Sequence, residues 1–156
     1  MTPEFSAAAL VPLLPELLLG VGAMTLLILG AYRTEEAGRL IDAASVVLLV
    51  IAGLIVLVLP EGRLVAFNGS FVVDDFARFL KILAMFGSAA AIVMSLDYAR
   101  REHEERFEYS VLILLSTLGM LMLISAADLI ALYLGLELMS LPLYVVAASH
   151  RSSLRS

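Results

Sequence analysis

The stretch Asp128-Leu-Ile-Ala-Leu-Tyr133-Leu-Gly-Leu-Glu137-Leu-Met-Ser140-Leu-Pro142-Leu-Tyr144-Val-Val-Ala-Ala148 decides the class of the fold. At 1.5 Å rise per residue a helix over this run crosses a bilayer, and its one internal acid, Glu137, falls near the middle. Insertion scales put an acid at that depth at roughly +2.5 to +3.5 kcal/mol, so Glu137 implies a task that requires it. Tyr133, Glu137, Ser140 and Tyr144 follow the i, i+4, i+7, i+11 spacing of one helix face, while the other central positions are apolar or glycine. Such a polar stripe is expected to face other helices or a wet cavity. Pro142 offers no N–H to the carbonyl of Leu138, which predicts a kink close to the acid. The plainer reading of the same pattern is a protonated glutamate tolerated in a packing interface.

Working outward, the composition agrees with a membrane protein. The 156 residues are 62% hydrophobic, with mean hydropathy +1.01, too apolar for a soluble domain of this size. Five apolar runs stand near spanning length: Leu10 to Ala31, Leu40 to Leu59, Phe76 to Leu96, Tyr109 to Ser125 and Asp128 to Ala148. The predicted fold is therefore an all-α polytopic membrane protein of about five transmembrane helices, in a single membrane domain covering 1–156. The start Met1-Thr-Pro-Glu-Phe5 has no basic n-region, and the first run is of spanning length, so a cleaved signal peptide is not expected.

Cysteine is absent, which excludes disulfides, thiolate iron–sulfur ligation and a thiol nucleophile within this sequence. His103 and His150 lie in charged connectors without a partner at metal-ligand spacing and read as solvated loop residues. Gly20-Val-Gly22 sits inside an apolar helix instead of after a strand, so it signals close helix packing and not a dinucleotide site. A formal charge of -5 argues against nucleic acid as a partner. Lys and Arg placement sets the orientation. Connectors and tail on one side carry Arg33, Arg39, Arg100, Arg101, Arg106, Arg151 and Arg155, against Arg63 on the other, with Arg78 and Lys81 at the margin. The positive-inside rule places the N-terminus outside and the C-terminal tail in the cytoplasm. Tyr32, Tyr98 and Tyr109 then fall at the cytoplasmic interface, where an amphipathic ring anchors well.

Between the runs, Pro12 and Pro15 fit a first helical turn, and Pro60-Glu61-Gly62 is a firm stop for the second helix. Glu16 reads first as an acid placed against the positive N-terminal end of a helix, and second as another functional acid. Asn68-Gly69, set between Leu64-Val-Ala-Phe67 and Phe71-Val-Val73, predicts a small β-hairpin in the second connector. Asp74 and Asp75 are expected to cap the third helix. Lys81, the sole lysine, is expected to snorkel outward or to pair with Asp74 or Asp75, with an approach to Glu137 as the lesser alternative. The connector Tyr98 to Tyr109 reads as a charged helical extension with a solvated face.

The run from Tyr109 through Gly119, Ser125 and Asp128 to Glu137, Ser140, Pro142 and Tyr144 resembles helices four and five of the subunit N family of proton-pumping NADH–quinone oxidoreductase, respiratory complex I. Leu14-Pro15-Glu16-Leu17 and Val73-Asp74-Asp75-Phe76-Ala77-Arg78-Phe79 also fit, so the resemblance extends over essentially the whole sequence. Its most specific parts are Leu134-Gly-Leu-Glu137-Leu and Ser140-Leu-Pro142-Leu. The resemblance implies an antiporter-like fold of inverted five-helix repeats with broken helices near the midplane, of which 109–156 would begin the first repeat. It also implies a functional glutamate at Glu137 that pairs with lysines on later helices. The family continues past the point where this sequence ends, into a sixth helix bearing Glu and Lys and on to about fourteen helices, so the sequence corresponds to roughly the first third.

The function implied is that of a non-redox membrane-arm subunit in redox-coupled proton translocation, seated in the bacterial inner membrane among other membrane subunits. Glu137 would be its proton or charge-switch site, with Ser140, Tyr133 and Tyr144 completing the stripe. NADH, FMN, iron–sulfur clusters and quinone would belong to partner subunits, with no cofactor or metal held here. Two other readings are compatible with the same residues: an antiporter-like subunit of a cation/proton antiporter or membrane-bound hydrogenase, and a non-transporting membrane scaffold. Co-purifying partners separate the first from complex I, and tolerance of Glu137→Leu marks the scaffold.

Overall fold

A computed structural model of the protein describes residues 7–32, 37–102 and 108–153, with side chains placed at 10–32, 38–98, 101 and 108–148. A 3-10 segment, Ala7–Leu13, leads into α1 (Leu14–Tyr32). It is followed by α2 (Ala37–Val58), β1 (Leu64–Ala66), β2 (Phe71–Val73), α3 (Asp75–Glu102), α4 (Glu108–Ser125) and α5 (Leu129–Ser153). All five helices are long and apolar enough to cross a membrane, so the fold is an all-α polytopic membrane one, as the sequence predicts.

The first four helices close a ring: α1 packs on α2, α2 on α3, α3 on α4 and α4 on α1. Leu19, Ala23, Leu26, Leu49, Ala52, Val56, Met85, Ile92, Val111, Leu114 and Leu121 fill it. Small residues set the spacing of these helices. A Cβ added at Gly22 would run into the Leu48 side chain, which is the close packing anticipated for Gly20-Val-Gly22. Two hydroxyls inside the ring find partners there: Thr117 donates to Ser88 at 2.6 Å, and Ser45 donates to the Ile41 carbonyl at 2.8 Å.

Helix α5 stands outside the ring and rests on α4. Of its spanning stretch 11% is buried, against 44% for α4, so α5 has a broad face that the other four helices leave uncovered. The α4–α5 contact is close to backbone on backbone. A Cβ at Gly119 would collide with the Met139 amide nitrogen and come within 2.7 Å of the Leu138 carbonyl carbon, and one at Gly135 would lie 2.9 Å from the Leu123 nitrogen. The Ser116 hydroxyl reaches across to donate to the Met139 carbonyl at 3.0 Å. The helix runs on through Pro142 to Ser153 as one element, where the sequence predicts a local break.

The hairpin is present. Strands β1 and β2 pair antiparallel, with Leu64 opposite Val73, Val65 opposite Val72 and Ala66 opposite Phe71. The turn needs left-handed backbone at Phe67, Asn68 and Gly69 (φ 50°, 55° and 91°), which Asn and Gly adopt readily and Phe does not. Its inner face of Ala66, Phe71 and Val73 forms a small core with Leu13 and Leu64. A backbone bridge from Phe71 to Ala126 and a hydrogen bond from the Ala127 amide to the Ser70 carbonyl at 2.9 Å fasten the hairpin to the α4–α5 turn.

Two details sharpen the sequence reading at helix ends. Asp74 alone caps α3, its Oδ1 accepting from the Ala77 amide at 2.7 Å, while Asp75 is the first helical residue. Helix α3 extends through Glu102, which carries part of the predicted charged extension; the remainder of that connector, and the side chains of His103 and His150, lie outside the described residues.

Candidate functional site

The stripe identified in the sequence lies on one face of α5, and its position follows from the close packing. Gly135, the Leu138–Met139 peptide and Pro142 face α4. At 100° per residue, Tyr133, Glu137, Ser140 and Tyr144 lie roughly 180° round the helix from that contact. Glu137 and Ser140 are partly buried, and Tyr133 and Tyr144 are 61% and 67% exposed. Glu137 is the ninth residue of the spanning stretch Leu129–Ala148, close to its midpoint. Among the described residues, Glu137 has no hydrogen-bond or ion-pair partner. The four stripe residues thus share a face, and that face points away from the four-helix ring.

Lys81 is not where the sequence reading put it. It neither snorkels nor pairs with Asp74 or Asp75, and it does not approach Glu137. Its side chain is 1% exposed, and its Nζ lies 2.5 Å from Oε1 of Glu16, itself 4% exposed. The Phe71 ring covers the ammonium with its centroid 4.8 Å from Nζ, a cation–π contact supplied by the hairpin. Glu16 does sit in the first turn of α1, as expected, but its partner is a buried cation as well as the helix end. A buried pair of this kind survives desolvation only with good geometry and further hydrogen bonds, and here three elements, α1, α3 and β2, supply the geometry.

The sequence did carry a signal for this pair. Glu16 is the sole charge inside the first apolar run and Lys81 the deeper of two, with Arg78, inside the third; each lies about one turn or two from the same end of the bundle, so counting along alternating helices puts them at similar depth. Arg78, which the charge count leaves at the margin, has a role of its own. Its guanidinium donates to the carbonyls of Leu59 (3.1 Å), Pro60 and Gly62 (3.2 Å), neutralising the C-terminal end of α2.

Asp128 joins the hairpin to the start of α5. Its Oδ1 accepts from the Ala131 amide at 2.8 Å, capping the helix, and its other oxygen accepts from the Ser70 hydroxyl. The Ser70 hydrogen bond, reinforced by the Ala131 and Ile130 amides, holds this carboxyl below its ordinary value. At the opposite end of the bundle, Ser110 of α4 donates to Asp42 of α2.

No family model matches the chain. Among curated proteins, the chain is 50% identical over 143 residues to NADH-quinone oxidoreductase subunit N of Azorhizobium caulinodans, covering 92% of the chain and 30% of that protein. It matches the N-terminal third of subunit N. Subunit N 1 of Rhizobium meliloti is 51% identical over all 156 residues, which make up 32% of its length, and subunit N of Parvibaculum lavamentivorans is 48% identical over 154. The fold is also that of a chain in respiratory complex I from Thermus thermophilus with bound aureothin, at TM-score 0.72 and 27% identity over 86% of this chain and 29% of that one. The chain therefore spans about a third of the length of its subunit N relatives.

Proposed function

We propose that the chain is the N-terminal part of a membrane-arm subunit of NADH–quinone oxidoreductase, takes part in redox-coupled proton translocation in a bacterial inner membrane, and uses Glu137 as its proton or charge-switch site. The similarity to subunit N over nearly the whole chain supports the complex. The observation that carries the site is the position of Glu137: mid-span, on a polar face turned away from the ring, with no partner among the described residues.

A lysine brought up to this face by the rest of the subunit would give Glu137 the counter-charge that the described residues do not supply, and its withdrawal would take that charge away. Ser140 and the Tyr133 and Tyr144 hydroxyls provide donors and acceptors along the same face. The redox chemistry belongs to partner subunits, in keeping with a sequence that has no cysteine to ligate a cluster.

The test is Glu137→Gln in the full-length subunit, which keeps shape and removes the proton site. Vesicles carrying this change are expected to oxidise NADH with fewer protons moved per electron pair. Wild-type pumping with the complex fully assembled would overturn the assignment.

A further inference from the structure

Beneath the hairpin the bundle buries more polar atoms than it pairs. Glu16 commits Oε1 to Lys81, while its Oε2 is buried without a hydrogen-bond partner among the described residues, and the Oγ of Ser125, 1% exposed at the end of α4, is in the same state. Lys81 has three N–H groups, of which Glu16 takes one and the Phe71 ring faces the ammonium from another side. Both orphan oxygens belong to the same end of the molecule. Ser125 immediately precedes Ala126, the backbone of Ala126 is bridged to Phe71, and the Phe71 ring lies against Lys81. Glu16 and Lys81 meet below that ring.

Unpaired acceptors inside an apolar bundle are costly, most of all on a charged group. Two acceptors and a spare ammonium donor offer the two to four polar partners that fix a buried water. We propose that Glu16, Lys81, Ser125 and Phe71 enclose a water-binding site, in which at least one water accepts from the Lys81 ammonium and donates to Glu16 Oε2 or to Ser125 Oγ. The hairpin is its lid: Phe71 is 6% exposed and Val73 beside it is fully buried, so the site is shut off from the aqueous side by β2. Water held there completes the hydrogen bonding of the ion pair and gives the Glu16 carboxylate a neighbour that can carry a proton. The site is independent of any role of Glu137.

X-ray radiolytic footprinting on native membranes containing the full-length protein reads such a site directly, because a bound water beside a side chain becomes a local source of hydroxyl radicals. Phe71 is the reporter, and Phe67, 55% exposed on the same hairpin, is the control for an intact lid. The variants are Glu16→Leu combined with Lys81→Met, which replaces the pair by apolar groups of similar volume and is compatible with folding, and Ser125→Ala. Phe71 is expected to oxidise several-fold faster in the wild type than in the double variant, with Phe67 unchanged. Equal Phe71 rates with Phe67 unchanged would show a dry pocket and overturn the site. Should the Phe67 rate change in the double variant, Ser125→Ala decides: a slower Phe71 supports the water, and an unchanged Phe71 rules it out.

Discussion

Two acids of the membrane-spanning stretches, Glu16 and Glu137, are treated in opposite ways. Glu16 is buried in the ring with its cation on a neighbouring helix and an aromatic lid above, whereas Glu137 stands on the uncovered face of α5 with no counter-charge among the described residues. The first acid has its counter-charge within its own bundle; the second has none among the described residues. The difference teaches that an acid's depth in the bilayer does not by itself mark a working site. For Glu16 the partner, Lys81, is built into the same bundle, whereas for Glu137 a partner belongs to the proposed function and would come from outside it.

The sharpest way to break this contrast is to remove one member of the enclosed pair. Lys81→Met leaves Glu16 buried without its cation and is expected to cost about 3–5 kcal/mol, seen as loss of assembled subunit on mild heating. Adding Glu16→Leu should recover most of that loss, because the remaining buried charge is gone. Failure of the double variant to recover would mean that the pair does more than cancel its own cost.

Next in size is the seam that fixes α5. Gly119→Leu forces side-chain atoms into the Leu138–Met139 backbone and should cost about 1–3 kcal/mol or displace the helix, read as faster proteolysis of the α4–α5 turn in detergent. Smaller still is the Ser70–Asp128 latch. The Asp128 carboxyl is held below its ordinary value in the folded protein, so its contribution is present at neutral pH and is lost as the pH falls below about 4. Asp128→Asn should therefore lower thermal stability slightly at neutral pH and flatten its fall under acid, which a melting series across pH would detect. The smallest effect on stability belongs to Glu137→Gln, within about 0.5 kcal/mol as for a site with no local partner to lose. A large destabilisation there would contradict the uncovered face and dissolve the contrast.

How much of this was legible in the sequence depends on whether the signal was local. Helix spans follow from apolar run length, the hairpin from Asn68-Gly69 between two β-branched and aromatic segments, and the polar stripe from the 3.6-residue period; all of these need only neighbours in the chain. The Lys81 pairing is not legible locally because its partner is 65 residues away, while Asp74 and Asp75 lie only one or two turns back. The role of Arg78 is hidden for the same reason, since its acceptors are backbone carbonyls just past the end of another helix, which have no signature in side-chain pattern. Pro142 shows the converse: a local rule predicts a break, and α5, packed closely on α4, continues through it as one helix.

The glycine seam between α4 and α5 has a consequence for how Glu137 can work. With main chain resting on main chain at Gly119 and Gly135, there is no cushion of side-chain rotamers to absorb a roll of α5 about its own axis. The bearing of the acid is thereby tied to α4, and on the proposed reading a change in its surroundings would come from what packs against the face of α5 turned away from the ring.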